Sequence, residues 1–390
     1  MLTSSCPSCG GHISAFCEIP AIPVNSCILM STADEARGYP RGDIVLGFCD
    51  DCGFICNLAF DQQLAEYSGR YEETQGFSAT FQRYHRALAQ DLISRYGLHN
   101  KTVLEIGCGK GEFLALLCDR GLNRGLGFDP GYDGNRGVLE GSPTAEVIVD
   151  FYSERYATHR ADFVCCKMTL EHIPQPAAFV GLSRLAMRPG ASSVFYLQVP
   201  EALRIFRDCV FEDIYYEHCC YFTAGSLSRL FRSQGLEPRK VYTSYADQYL
   251  AIEASVARGA AGEPLAVEQD LDEVRALVAT FPQRSRAKIS NWQQTLANCA
   301  ARGSVILWGS GSKAVAFLGA VDKEGTVDRV VDINPYRQGH FMPGSAQPIV
   351  APAQLQKNPP AAVIVMNPIY REEVAAELEA LDLQSELMTL

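Results

Sequence analysis

Lys101-Thr-Val-Leu-Glu-Ile-Gly-Cys-Gly-Lys-Gly111 decides how the middle of this chain folds. An apolar run reads as a strand entering a turn with glycine at 107, 109 and 111, and Glu-Phe-Leu-Ala-Leu-Leu-Cys-Asp-Arg reads as a helix ended by Gly121. Glycines at such a turn remove side chains where a ligand must press on the backbone. A lone glycine motif is weak, but three neighbours strengthen it. Glu105 precedes the first glycine. Gly125-Leu-Gly-Phe-Asp129 is a second strand, ending in an acid at the distance expected for holding ribose hydroxyls. Glu146-Val-Ile-Val-Asp150 is a third, and its terminal acid is placed to meet an adenine amine. Strands at Asp162–Met168 and Ser192–Pro200 follow, and a hairpin of 241–245 with 249–256 closes the sheet. Strand and helix alternate throughout, so the fold class is α/β.

This pattern resembles the class I S-adenosylmethionine-dependent methyltransferases rather than the nicotinamide enzymes. A dinucleotide sets its pyrophosphate at the helix N-terminus, where a carboxylate at 105 would repel it. S-adenosylmethionine carries an ammonium and a sulfonium, which Glu105 suits. The resemblance implies cofactor contacts from Gln75, Glu105, Gly107, Cys108, Gly109, Asp129, Pro130, Asp150, Phe151, Lys167 and Met168.

Toward the N-terminus, Cys6-Pro-Ser-Cys9 and Cys49-Asp-Asp-Cys52 are two C-x-x-C knuckles, each followed by glycine. Each puts two thiols on one tight turn, and together they supply the four soft ligands of a closed structural zinc site. Four sulfurs leave no open position for catalysis. Neither knuckle opens a helix after a strand, which argues against a redox pair. Cys17, Cys27 and Cys56 read as small buried apolar residues.

Two Glu-His pairs carry the candidate chemistry. Glu171-His172 follows the fourth strand, at the carboxyl edge where open α/β sheets bind ligands. Tyr215-Tyr216-Glu217-His218 lies just before Thr223, the expected N-cap of a helix over 224–233. Histidine matches proton transfer at neutral pH, and Tyr and Glu flank His218. His85, His99 and His159 show no partner in the sequence.

The order of these motifs resembles the sugar C-methyltransferases, three-domain enzymes acting on nucleotide-linked deoxyketosugars. The resemblance spans nearly the whole chain. It implies a methyltransferase Rossmann-like sheet, a small N-terminal zinc domain (1–70), a donor-binding domain (71–258) and a C-terminal Rossmann-like α/β domain (259–390). It implies His218 as the base, assisted by Tyr215 and Glu217, with His172 and Tyr71 lining the same site. In the C-terminal half, Val305-Ile-Leu-Trp-Gly-Ser-Gly-Ser-Lys313 and Asp332-Ile-Asn-Pro-Tyr-Arg-Gln-Gly-His-Phe-Met-Pro-Gly344 resemble family loops. Lys313, Arg337, His340 and Asn367 are the substrate-binding candidates there, the first three suited to phosphates. An empty scaffold that only supports the cleft is the competing reading of that half. One departure stands out: the family tends to carry a His-Gly-Gly-Ser type segment where this chain reads Tyr245-Ala-Asp-Gln-Tyr-Leu250.

The expected reaction is methylation of a carbon next to a carbonyl, through an enolate. The alternatives are O- or N-methylation of another small metabolite and, from a different class, a zinc-ribbon RNA-binding protein. The chain is acidic: Lys plus Arg number 34 against 45 Asp plus Glu, a net charge of −11. Polyanion binders carry a basic face, so a small-molecule partner is expected and nucleic acid is not. No apolar stretch reaches membrane-spanning length, and no secretory leader is visible. With 15 cysteines, an odd number, a reducing cytoplasm is the simplest setting.

Overall fold

A computed structural model of the chain describes residues 3–189, 193–258 and 262–390. Seven strands form the central sheet, in the order Ala145–Ile148, Arg124–Phe128, Thr102–Ile106, Phe163–Lys167, Val194–Pro200, Tyr249–Val256 and Leu236–Ser244. The first five run parallel; Tyr249–Val256 is antiparallel to both of its neighbours, so Leu236–Ser244 points the same way as the first five. Of the strand expected over 192–200, Ser192 lies outside the described residues.

Side-chain alternation explains why this sheet is covered on both faces. Val103, Phe163, Cys165, Val194 and Tyr196 pack with Leu88, Leu92 and Ile93 of the helix Ala79–Tyr96 and with Phe113, Leu114 and Leu117 of the helix Glu112–Gly121. Leu104, Ile106, Val164, Cys166, Phe195 and Leu197 point the other way, toward Val180 of the helix Pro176–Arg184 and Leu227, Leu230 and Phe231 of the helix Ala224–Ser233. Thr223 caps that last helix reciprocally with Ser226, as its position foretold. Gly121 is the last helical residue, but the left-handed residue that ends the helix is Leu122, at φ 53°. Gly121 serves a close approach instead: a Cβ there would stand 2.3 Å from the Leu98 carbonyl oxygen.

The N-terminal sheet is antiparallel, ordered Thr3–Ser5, His12–Pro23, Arg41–Cys49, Ile55–Asn57 and Cys220–Tyr221. Its last strand comes from far along the chain, with Cys220 opposite Cys56 and Tyr221 opposite Ile55. The segment around residue 70 is also tied to this sheet's loops: Leu29 N–H donates to the Arg70 carbonyl and Glu72 N–H to that of Cys27.

Five parallel strands make the C-terminal sheet, ordered Ile349–Val350, Val327–Val331, Val305–Trp308, Ala362–Val365 and Glu386–Thr389. A short 3-10 turn at Ala266–Glu268 leads into a long α-helix, Leu271–Ala300, with Pro282 inside it. Its first half buries Val274, Val278 and Phe281 against Ile44, Leu46 and Phe206, and its second half buries Leu296 and Cys299 against the C-terminal sheet. The helix is therefore a strut between two units. Residues 259–261, where the C-terminal domain is expected to begin, lie outside the described residues. Among the described residues, no helix is long and apolar enough to cross a membrane.

Candidate active site

The glycine turn is built by backbone sterics. Gly107, Gly109 and Gly111 have φ of 69°, 54° and 82°, the left-handed region that favours glycine. At Gly107 the constraint comes from the protein itself, because a Cβ there would lie 2.0 Å from Thr169 Oγ1. Gly109 N–H donates to Asp129 Oδ2 at 2.8 Å, and Gly131 N–H to Oδ1 at 2.8 Å, so the acid ending the second strand is locked beside the turn. Burial pushes the Asp129 carboxyl up while these two N–H groups hold it down.

Glu105 sits beneath the turn, buried, with Oε2 lacking any hydrogen-bond partner among the described residues. Burial pushes its carboxyl up to about 7, and the charge of Lys167 partly opposes this. A buried carboxyl short of a partner, beside a left-handed glycine turn, fits the cationic groups of S-adenosylmethionine. Lys167 Nζ lies 3.0 Å from His85 Nε2 and 4.0 Å from the centre of the Phe113 ring. His85 therefore does have a partner, which a separation of 82 positions hides from the sequence.

The other expected cofactor residues are scattered in role. Cys108 is buried in the turn, and Pro130 follows Asp129 directly. Met168 has φ 49° at the end of the fourth strand. Asp150 lies past its strand, accepting from the Tyr156 hydroxyl at 2.7 Å and pairing with Arg155 at 2.6 Å, while Phe151 is exposed. Gln75 bridges Tyr249, at 3.1 Å, and Tyr370, at 2.6 Å.

The second cluster lies across Thr169. This residue touches the turn at Gly107, and two and three positions on come Glu171 and His172. The His172 and His218 rings meet edge to face at 4.8 Å. His218 Nε2 is 2.9 Å from the Tyr215 hydroxyl, and His172 Nδ1 is 3.0 Å from that of Tyr67. Tyr67 was not foreseen; its spacing from Tyr71, four residues on, was the available signal, and the two rings pack at 5.6 Å. Burial drives His172 down to about 4 and His218 well below the usual imidazole range, with the charges of His172 and Lys313 adding to the effect at His218. Both imidazoles are therefore neutral at pH 7.

Glu217 does not face its neighbour His218. Its oxygens accept from Asn25 Nδ2 at 3.0 Å, Ser26 N–H at 3.3 Å and the Ser26 hydroxyl, and the Tyr71 hydroxyl adds to them. The C-terminal candidates are also engaged. Lys313 pairs with Asp213. Arg337 is buried and donates to the Ser310 carbonyl at 2.8 Å, to Cys27 Sγ at 3.5 Å and to the Glu72 carbonyl. Asn367 exchanges amide hydrogen bonds with Gln248 at 2.9 and 3.0 Å. His340 keeps a buried Nδ1 with no partner among the described residues. The divergent hairpin tip is tight, with Tyr245, Ala246 and Asp247 at φ of 54°, 53° and 57°. Its Tyr245 ring stacks on Tyr249 at 4.9 Å, and its hydroxyl donates to that of Tyr370 at 2.7 Å.

The four knuckle sulfurs converge. Cys6 and Cys52 are 3.7 Å apart and Cys9 and Cys49 3.6 Å. Four sulfurs at about 2.3 Å from one zinc ion would stand about 3.8 Å apart, so the set fits. Of the other N-terminal cysteines, Cys27 and Cys56 are buried as expected, whereas Cys17 is half-exposed.

Residues 81–241 match a family model described as a methyltransferase domain, and residues 240–387 match one described as a C-methyltransferase C-terminal domain. The chain is an S-adenosylmethionine-dependent methyltransferase. This pair of domains aligns it with the C-methyltransferases. A relative from Streptomyces niveus, the C-methyltransferase NovU, is 28% identical over 370 residues, covering 89% of this methyltransferase and 85% of NovU. The ubiquinone biosynthesis O-methyltransferase of Escherichia coli is 30% identical over 104 residues, 25% of this chain and 43% of that one. Among solved structures, the 1,6-didemethyltoxoflavin-N1-methyltransferase of Burkholderia thailandensis overlays with a TM-score of 0.38 at 17% identity, covering 47% of this chain and 83% of its own.

Proposed function

We propose that this methyltransferase alkylates a carbon next to a carbonyl in a small molecule, a nucleotide-linked deoxyketosugar or a related natural-product precursor, and that His218 is the base. The observation that carries the reading is a neutral, buried imidazole. It lies within hydrogen-bond reach of a tyrosine and beside a second neutral imidazole, on a segment that Thr169 joins to the donor turn. Similarity to NovU over most of both chains supports carbon as the methylated atom.

His218 takes a proton from the acceptor carbon, and the C–H electron pair stays on the acceptor as an enolate. Tyr215 and His172 stand where a hydrogen bond to the enolate oxygen would lower the barrier. S-adenosylmethionine, when bound, supplies an electrophilic methyl group and leaves as S-adenosylhomocysteine. Glu105 and Asp129, with the N–H groups of the turn, hold that donor, and proximity of the two clusters sets the line of attack. Zinc on Cys6, Cys9, Cys49 and Cys52 has an architectural role only. The free thiols and the net charge of −11 suit a cytoplasmic enzyme without a nucleic-acid partner.

The test is His218→Asn assayed with a nucleoside-diphosphate-linked ketosugar. Turnover falls about 10²- to 10⁴-fold, the usual contribution of a general base, while S-adenosylhomocysteine affinity measured by calorimetry is kept. Solvent deuterium enters the acceptor carbon with wild-type protein and not with the variant. Normal turnover by His218→Asn removes the base. Methylation without any exchangeable carbon proton points instead to oxygen or nitrogen.

A further inference from the structure

Glu217, the carboxylate beside His218 in sequence, is spent on Asn25, Ser26 and Tyr71. The carboxylate beside His218 in space is Glu171. Its side chain is 1% exposed, Oε1 is 4.0 Å from His218 Nε2, and neither oxygen has a hydrogen-bond partner among the described residues. A buried carboxyl left unsatisfied costs stability, so its retention against an imidazole calls for a purpose. We propose that Glu171 is the charge partner of His218: its carboxylate stabilises the imidazolium that forms when the base accepts a proton. It is a positioning residue, acting through His218, and the inference rests on the reading of His218 as base.

The surroundings explain why a partner is needed. His218 is buried, and Lys313, the charged group that bears on it, opposes a positive charge there. Without a nearby anion, a protonated His218 would be an uncompensated buried cation. The groups that face Glu171 are His218 and His172 from the two catalytic segments, Tyr67 and Tyr215, and the thiols Cys166 and Cys220. The Cys219 thiol is bonded to its backbone carbonyl. None of these is a cation at neutral pH, and burial accordingly pushes the Glu171 carboxyl up to about 8.

The sign of the pH dependence follows. At pH 7 Glu171 is mostly protonated and His218 is neutral. As pH rises through 8 Glu171 ionises, and only then can it favour a proton on His218. The competent form, a neutral base beside an anion, therefore grows across that window. Glutamine at 171 keeps the shape of the protonated acid but never ionises.

The seven histidines make carbon-13 NMR of the imidazoles practical on the whole protein, with S-adenosylhomocysteine bound and no acceptor needed. His218→Asn assigns the resonance. In wild type the His218 signal inflects near pH 8, following Glu171. In Glu171→Gln that inflection is gone, S-adenosylhomocysteine affinity is unchanged, and kcat on a ketosugar probe falls about 100-fold with KM little moved. Glu171→Asp restores part of both the inflection and the rate. An inflection that survives in Glu171→Gln, or unchanged kcat and pH profile in that variant, overturns the proposal. The NMR result stands apart from turnover: a lost inflection with His218→Asn still active would sink the base assignment and leave the pairing intact.

Discussion

Replacing Gly107 by alanine tests the geometry on which donor binding rests. Two costs can be read from the structure. The backbone at 107 has φ 69°, and a residue with a Cβ pays about 1–2 kcal/mol to stay there. The new methyl would also lie 2.0 Å from Thr169 Oγ1, 2.8 Å from its Cγ2 and 2.9 Å from its Cβ. Because the Cβ itself is within the clash, rotating the threonine side chain cannot relieve it, and the backbone must give. Overpacking of this kind costs about 1–3 kcal/mol. Together the loss is about 2–5 kcal/mol, a large part of the roughly 5–15 kcal/mol that holds a domain folded. The variant should fold with a lowered urea midpoint and bind S-adenosylhomocysteine at least about tenfold more weakly, since relief displaces either the turn or residues 168–172. Thr169→Ala removes Oγ1 and Cγ2 but leaves the φ cost, so in the double variant about 1–2 kcal/mol should return, read as a coupling energy in a double-mutant cycle. Wild-type stability and affinity in Gly107→Ala, or simple additivity with Thr169→Ala, would refute the reasoning.

Two further predictions follow from the same observations. Wild-type protein should hold one zinc per chain, and Cys49→Ser should lose it together with hydrogen-exchange protection in the strands around 41–57 and 220–221; a metal-free wild type that keeps that protection would contradict the site. Glu105, held up to about 7 by burial, is roughly three-quarters protonated at pH 6.5, and a cationic donor favours its ionised form. S-adenosylmethionine binding at pH 6.5 should therefore release most of a proton, seen as a calorimetric heat that scales with buffer ionisation enthalpy, and affinity should weaken as pH falls below 7. The release should vanish at pH 8.5 and in Glu105→Gln; a heat independent of buffer at pH 6.5 would remove Glu105 from the donor site.

Local chemistry made much of this architecture readable. Thr102 to Gly121 shows its strand, its turn and its helix within twenty residues, because alternation, glycine and helical periodicity all act at short range. Thr223 announces a cap for the same reason. Two cysteine knuckles pair across forty residues only because metal chemistry restricts which thiols belong together. Long-range contacts lacked any such signal. Cys220 and Tyr221 form a strand of two residues that completes the N-terminal sheet, and no pattern of that length can be read. Arg337 looks like a free cation in sequence, yet its guanidinium is consumed by the Ser310 and Glu72 carbonyls. Adjacency does not tell where a side chain goes: Glu217 precedes His218 in the chain, and its carboxylate accepts from Asn25 and Ser26.

That placement of Glu217 explains why a zinc-bearing sheet belongs in a methyltransferase at all. Along 215–218 the side chains divide between two destinations. Tyr215 and His218 contact each other, and His218 meets the His172 ring. Tyr216 accepts from Asp61 N–H at 2.8 Å and lies over Gly42, where a Cβ would come within 2.3 Å of its ring. Glu217 takes Asn25 and Ser26. Immediately after, the Cys219 carbonyl accepts from Asn57 N–H at 2.9 Å, and Cys220 enters the sheet opposite Cys56. His218 thus sits beside His172 on a riveted stretch, and its position is fixed by the N-terminal sheet rather than by the sheet that carries the donor turn. The resemblance to the sugar C-methyltransferases implies that Glu217 assists the base. Its bonds instead suit a carboxylate that holds the segment in register, which leaves the electrostatic task at His218 to the unsatisfied carboxyl of Glu171 on the opposite wall.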